Sequence, residues 1–150
     1  MKRLDYYNTA PQAMDILMQQ ESYFRRQFEA SETMSVRIWE LVKLRVSQIN
    51  QCAFCIDMHT KEAIKLGETH ERLFLLDAWK DVDVFTEEEK VILQMTEEIT
   101  KIHEKGLTDE TYQKAMKFFD PHYFSQIIMA IATINVWNRI AISTHTPVPN

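Results

Sequence analysis

The spacing of apolar positions predicts a chain built from helices. Between Pro11 and about Ala30, Met14, Leu17 and Met18 recur at helical intervals, and Ile16, Tyr23, Phe24 and Phe28 add apolar bulk. Pro11 suits the first turn of that helix, where a missing N–H is no loss. Ser31-Glu32-Thr33 reads as a break and cap. A second helix follows from about Met34 to Asn50, with Ile38, Leu41, Val42, Arg45 and Ile49 along one stripe. Leu44 and Val46 widen that stripe, as expected of a well-buried helix. Asn50-Gln51 forms a short turn. A third helix then runs to about Leu66, where Gly67 suits a left-handed cap.

The second half follows the same logic. Thr69 to about Ala78 makes a short helix bearing Leu73, Leu75 and Leu76, and Trp79 to Phe85 reads as a loop. Thr86-Glu87-Glu88-Glu89 is a capping box. The helix it opens carries Val91, Ile92, Met95, Ile99 and Ile102 and is expected to stop before Gly106. Thr108 starts another, with Tyr112, Ala115, Met116 and Phe119 inward. Asp120-Pro121 caps a last helix to about Ile142, whose face holds Phe124, Ile127, Ile128, Ile131, Ile134 and Trp137. The prolines near the end extend the tail from Thr146. The expected fold class is all-α: one domain over residues 1–150, a bundle of six to seven helices, with no internal repeat, linker or low-complexity segment.

Composition narrows this picture. A chain of 150 residues fits one domain and buries roughly 70% of the surface its unfolded form exposes. Gly67 and Gly106 are the only glycines. Dinucleotide fingerprints and phosphate-binding loops need more, closer together, and hairpin-rich β architectures lean on glycine turns. A formal net charge of -5 argues against nucleic acid or an anionic membrane as partner. The opening residues hold no apolar stretch of signal-peptide length, and the longest apolar run, Ile127 to Ala132, is too short to span a bilayer. The expectation is a soluble cytoplasmic protein, where a cysteine pair cycles or binds metal more often than it staples.

The only two cysteines, Cys52 and Cys55, stand three apart. His59 follows the second by four residues, and Glu40 precedes the first by twelve, giving Glu-x11-Cys-x2-Cys-x3-His. A thiolate is the nucleophilic form of cysteine, and a helix start favours negative charge. Cys52 is expected at such a start, with Cys55 one turn on and His59 one turn beyond that. Helical side chains lean toward the amino end, so the imidazole is expected to point back at the Cys55 sulfur. Glu40 lies roughly 15 Å back along its helix, a height that His59 matches if the next helix folds back antiparallel. Glu40 would then orient His59 or relay protons. Plainer readings stay open. The cysteines can be small buried hydrophobes, or half of a zinc site that lacks its other ligands. Glu40 can simply pair with Arg37 or Lys43 on its own helix. The flanking segments show no βαβ pattern, which argues against a thioredoxin fold.

The stretch Glu40 to His59 resembles the alkylhydroperoxidase D-like proteins of the carboxymuconolactone decarboxylase superfamily. The resemblance continues through His59-Thr60-Lys61-Glu62-Ala63, Gly67-Glu68, Arg72-Leu73 and Asn135-Val136-Trp137-Asn138-Arg139, in order over residues 36 to 143. It implies an all-helical fold, assembly as trimers or hexamers, Cys55 as the peroxidatic and Cys52 as the resolving cysteine, and His59 and Glu40 as proton-relay groups. In the characterised peroxidase a histidine stands immediately before the second cysteine; here that position is Phe54. The implied relay is one group shorter and the implied peroxide turnover weaker. Decarboxylases of the superfamily lack the cysteine pair, which ranks that activity low.

The expected function is therefore a thiol-dependent peroxidase acting on hydroperoxides, regenerated by an external dithiol reductant and needing no metal or organic cofactor. The alternatives are a general thiol-disulfide oxidoreductase and a non-enzymatic, redox-sensing helical oligomer. A homo-oligomer is expected from the family and from Trp39, Trp79 and Phe119, read as apolar bulk that a small domain leaves uncovered.

Overall fold

The computed structural model describes residues 3–32 and 34–149, so the expected cap at Thr33 lies outside the described residues. The all-α expectation holds. The described residues form eight α-helices: α1 (Tyr6–Thr9), α2 (Pro11–Glu29), α3 (Val36–Ile49), α4 (Ala53–Lys65), α5 (His70–Leu75), α6 (Glu87–Thr100), α7 (Asp109–Phe118) and α8 (Pro121–Thr144). The count exceeds expectation by α1, a single turn that Asp5 nucleates by accepting the Tyr7 N–H at 3.1 Å. A 3-10 segment, Leu76–Asp81, also occupies part of the expected loop. Trp79 anchors it, since its buried indole donates to Glu97 Oε1 at 2.8 Å.

Helix α3 is the axis of the bundle. Ten of its fourteen residues are buried, including Glu40, Lys43 and Arg45. It packs against α4, α6 and α8, and more lightly against α2. On one side Val36, Trp39, Val42 and Val46 join Phe24 and Phe28 of α2, Ile92 and Met95 of α6, and Ile127, Ile131 and Ile134 of α8. On the other, Leu41 and Leu44 meet Ala63, Leu73, Leu76 and Trp79. With so much of its circumference covered, α3 places charged side chains inside the protein, where each must find a partner. Arg45 does so: Nε and Nη2 donate to Glu97 Oε1 at 3.0 and 2.8 Å, and Nη1 pairs with Asp77.

Several boundaries differ from the sequence reading. Ser31 does break the chain, its hydroxyl accepting the Met34 N–H at 2.9 Å, but the cap of α3 is Ser35. Helix α6 ends at Thr100, short of the expected Ile102, which is exposed. The Glu98 carboxylate accepts the Thr108 N–H at 2.8 Å and the Thr111 hydroxyl at 2.7 Å, which pulls the start of α7 back toward α6 and turns the chain early. Tyr112, expected inward, is exposed and meets Phe124 edge-on at 5.3 Å. On α2 the inward positions are Met14, Phe24 and Phe28, while Ile16 and Met18 are exposed. The reading of Trp39, Trp79 and Phe119 as uncovered bulk is corrected: all three are buried. The exposed apolar groups are others, led by Phe74 at 81%.

Three punctuation marks appear where the sequence put them. Thr86 and Glu89 complete a reciprocal capping box. Asp120 caps α8 through the Tyr123 N–H at 2.8 Å. Gly67 takes φ of 85° after α4, and the Glu68 N–H reaches back to the Ala63 carbonyl at 2.9 Å. Helix α8 is by length and composition apolar enough to cross a membrane, and 44% of its apolar window is buried inside the bundle. Thr133, Asn138 and Thr144 are its buried polar residues. Asn138, fully buried, donates to Ser47 Oγ at 3.0 Å and accepts from Asn50 Nδ2 at 3.0 Å, which ties α8 to the end of α3.

Candidate functional site

The site is assembled where α3 hands over to α4. Gln51 adopts the left-handed conformation at φ of 58°, and the Cys52 N–H reaches the Ser47 carbonyl at 3.0 Å. That turn reverses the chain within two residues and leaves Cys52 as the N-cap of α4. Cys55 sits in the first helical turn, where unpaired backbone N–H groups favour a thiolate. The Cα atoms of Cys52 and Cys55 are 5.3 Å apart and their sulfurs face each other, a separation within the normal range for a disulfide. Both side chains are buried and pack against Ala141 of α8 and Phe54.

Because α4 returns antiparallel beside α3, His59 arrives opposite Glu40, as the sequence reading required. His59 Nδ1 lies 2.8 Å from Glu40 Oε2. Both groups are buried, Glu40 to 1% exposure and His59 to 5%. The pairing fixes the tautomer: Nδ1 carries the proton that the carboxylate accepts, so in the neutral ring Nε2 is the basic nitrogen. Nε2 is itself buried and has no hydrogen-bond partner. The expected contact of the imidazole with Cys55 takes the form of a shared wall: both residues line the same cavity, and the hydrogen bond His59 makes is to Glu40.

Glu40 has a second partner, and the plainer reading of it is also correct in part. Lys43, one turn along α3, places Nζ 2.5 Å from Glu40 Oε1; Arg37 instead points to Glu68 at 3.9 Å. Burial works against the Glu40 carboxylate, but the His59 hydrogen bond and the Lys43 charge outweigh it and hold its pKa below the usual carboxylate range. The chain of contacts continues outward. Lys43 Nζ lies 3.9 Å from Glu21 Oε2 and 3.6 Å above the centre of the Trp39 ring. Trp137 Nε1 donates to Glu21 Oε1 at 2.9 Å. Residues from α2, α3, α4 and α8 thus join in one polar line from solvent to His59.

That line borders a cavity of about 450 Å³. Cys55 lines it, and Cys52 does not. The walls are mostly apolar, formed by Met14, Met18, Phe54, Met58, Trp137 and Ile140. The amino-terminal stretch Leu4 to Tyr7 closes one side, held in place by Arg3, whose N–H donates to the Thr144 carbonyl at 3.0 Å. Among the described residues no cluster of three or more His, Cys, Asp or Glu side chains is placed to hold a metal ion.

All four residues singled out from the sequence therefore meet at one place. The reading missed Glu21 and Trp137, and gave Lys43 only as a surface partner. Lys43 did carry a signal, being a lysine embedded among Leu41, Val42 and Leu44. Nothing in the sequence pointed to Glu21, which comes from another helix.

The comparisons with known proteins bear on the family and the fold. Residues 10–98 match the model of the carboxymuconolactone decarboxylase family. The chain is similar to the uncharacterized protein YdfG of Bacillus subtilis, at 42% identity over 142 residues, covering 95% of this chain and 93% of the relative. A crystal structure from Agrobacterium tumefaciens, of a protein of unknown function described as a candidate antioxidant defence protein AhpD, superposes with a TM-score of 0.91 at 35% identity, covering 100% of this chain and 99% of the other. An uncharacterized peroxidase-related protein from Silicibacter sp. TM1040 shares the fold with a TM-score of 0.81 at 17% identity, covering 95% of this chain and 73% of that one. With the family model covering more than half of its residues, the chain belongs to the carboxymuconolactone decarboxylase family, on the alkylhydroperoxidase D-like side of it.

Proposed function

We propose that the chain is a thiol-dependent peroxidase in which Cys55 is the peroxidatic cysteine, Cys52 the resolving cysteine, and His59 with Glu40 the proton relay. The observation that carries this reading is the cavity itself: Cys55 and His59, whose buried Nε2 has no hydrogen-bond partner, line one mostly apolar chamber, and Cys52 does not line it. His59 Nε2 takes the Cys55 proton, and Glu40 stabilises the imidazolium through Nδ1. The thiolate attacks the terminal oxygen of a hydroperoxide, the O–O bond breaks, and the leaving alkoxide takes the proton back from Nε2. Cys55 is then a sulfenic acid. The Cys52 sulfur attacks it, a disulfide forms, and water leaves. An external dithiol reduces the disulfide by exchange.

The Agrobacterium relative's description as an antioxidant protein points the same way. Burial of both sulfurs favours a small hydroperoxide over a protein disulfide as oxidant, since a bulky partner cannot reach Cys55 through the chamber. The missing family histidine at Phe54 leaves an apolar wall beside Cys55 and a relay of two groups. We also propose a homo-oligomer, a trimer or hexamer, with exposed apolar groups such as Phe74 as candidates for the contact.

Consumption of tert-butyl hydroperoxide by the reduced protein with dithiothreitol tests the peroxidase reading. Turnover that is lost in Cys55→Ser supports it. Unchanged turnover in Cys55→Ser, or none in the wild type, overturns it. Mass in solution at micromolar concentration tests the oligomer.

A further inference from the structure

The buried lysine at the centre of the polar line is left unused by the mechanism above. Lys43 is 4% exposed, and its surroundings are fully assigned: Glu40 Oε1 at 2.5 Å, Glu21 Oε2 at 3.9 Å and the face of Trp39 at 3.6 Å. Glu40 thus divides its two oxygens, Oε1 to Lys43 and Oε2 to His59. A carboxylate with one partner presents its full charge to that partner. A carboxylate shared with an ammonium presents less.

We propose that Lys43 is a positioning residue that sets how firmly His59 holds its proton, by drawing on the Glu40 carboxylate from the side opposite the imidazole, with Glu21 as the outer counter-charge that limits Lys43 in turn. Without Lys43, Glu40 and Glu21 leave two uncompensated carboxylates near the ring, and His59 retains its proton to higher pH. Without the Glu21 charge, Lys43 acts on Glu40 undivided, and His59 releases its proton at lower pH. The two substitutions therefore move one titration in opposite directions, a signature that a purely structural lysine does not produce.

Tyr6 and Tyr7 of α1 and Cys55 of α4 also line the chamber, Cys55 as the proton partner of His59 in the mechanism above, and all three are common to the wild type and the variants compared below. The remaining charged groups around the chamber have partners of their own. Asp5 caps α1 through the Tyr7 N–H. Arg25 pairs with Glu29 at 3.9 Å and Glu62 with Lys65 at 2.5 Å. Among the described residues α8 contributes no ionisable side chain to the cavity wall. The ring's one hydrogen-bonded charged neighbour is Glu40.

The proposal rests on the peroxidase reading for its consequence in rate, and not for the titration itself. The test is a pH titration of histidine-labelled, reduced protein by NMR, with the His59 signal assigned by its loss in His59→Asn. Lys43→Met is expected to raise the His59 midpoint by about one pH unit or more, because a single carboxylate, 2.5 Å from the ammonium and 2.8 Å from the ring, lies between the two groups. Lys43→Arg, which restores the charge, is expected to bring the midpoint back toward the wild type. Glu21→Gln keeps the acceptor for Trp137 and is expected to lower the midpoint. A His59 midpoint that stays fixed in Glu21→Gln and in Lys43→Met overturns the proposal, as does an upward shift in Glu21→Gln. If Lys43→Met does not fold, the partly exposed Glu21→Gln decides by the same sign. The pH profile of hydroperoxide reduction should follow the titration. A moving titration in a protein that consumes no peroxide leaves the role of Lys43 standing and removes the peroxidase reading.

Discussion

Replacing Glu40 with Gln removes one negative charge and almost no volume. In the folded protein the carboxylate holds His59 Nδ1 at 2.8 Å and Lys43 Nζ at 2.5 Å, and it is 1% exposed. The amide has one oxygen for two donors, so either the ammonium or the imidazole loses its acceptor. Removing one partner of a buried ion pair costs about 3 kcal/mol or more. For a chain of this length that corresponds to a fall in melting temperature of roughly 6–12 °C. This exceeds the roughly 0.5 kcal/mol of a surface pair one turn apart, so stability alone separates the two readings of Glu40. The chemical effect is separate. Loss of the carboxylate weakens His59 as a base, and general acid–base contributions are about 100-fold or more, so a slowing of at least about tenfold remains after bypass through water. The assay is single-turnover reduction of hydroperoxide by pre-reduced protein, at a temperature where circular dichroism shows the variant folded. His59→Asn should slow it similarly, and the double variant should cost less than the sum because the two act as one relay. A wild-type rate in folded Glu40→Gln would refute the relay, whatever the loss in stability.

Mild oxidation should join Cys52 and Cys55 within one chain; peptide mapping should find one peptide short of two hydrogens, and disulfide-linked dimers as the main product would contradict it. Cys52→Ser should leave a sulfenic acid on Cys55 that dimedone traps, and trapping on Cys52 in Cys55→Ser instead would reverse the roles. Glu40 and Glu89 are buried and Glu97 is partly buried, and in all three hydrogen bonds and cationic neighbours outweigh desolvation and hold the pKa below the ordinary range. Depressed carboxylates stabilise the fold above their unfolded pKa of about 4.3, so stability should be steady above about pH 5 and fall as pH drops through the folded values, as read by urea midpoints. Asn138→Leu should cost about 2 kcal/mol or more, since the Ser47 hydroxyl and Asn50 amide each lose a partner; an unchanged thermal midpoint would show that water replaces it.

Much of this fold is local in origin, which is why the sequence disclosed it. Caps at Thr86, Asp120 and Gly67 act within a few residues of themselves, and the stripe of α3 is a property of its own period. What remained hidden depends on contacts between distant segments. Trp79 lies in a stretch without helical periodicity and is ordered by Glu97 of α6. Helix α6 ends early because Glu98 binds Thr108 and Thr111, not because its own pattern fails. The site divides the same way. Cys52, Cys55 and His59 share a helix, so spacing alone related them, and Glu40 followed from an antiparallel return. Glu21 and Trp137 come from α2 and α8, at separations for which no periodicity exists. Lys43 was visible but misread, because a lysine beside a glutamate on one helix is usually a solvated pair.

The hydrogen bond from Arg3 to Thr144 joins residues 141 positions apart, and with Leu4 to Tyr7 it makes the cavity wall a meeting of segments far apart in sequence. Contacts of such long separation pay the largest loop-closure entropy and form late. The core has no such dependence: α1 has no buried residue, and α2, α3, α6 and α8 pack without it. Removing the residues before α2 is therefore expected to open the chamber on that side and expose Cys55 to bulkier thiol reagents, which alkylation rates of the trimmed, reduced protein would report.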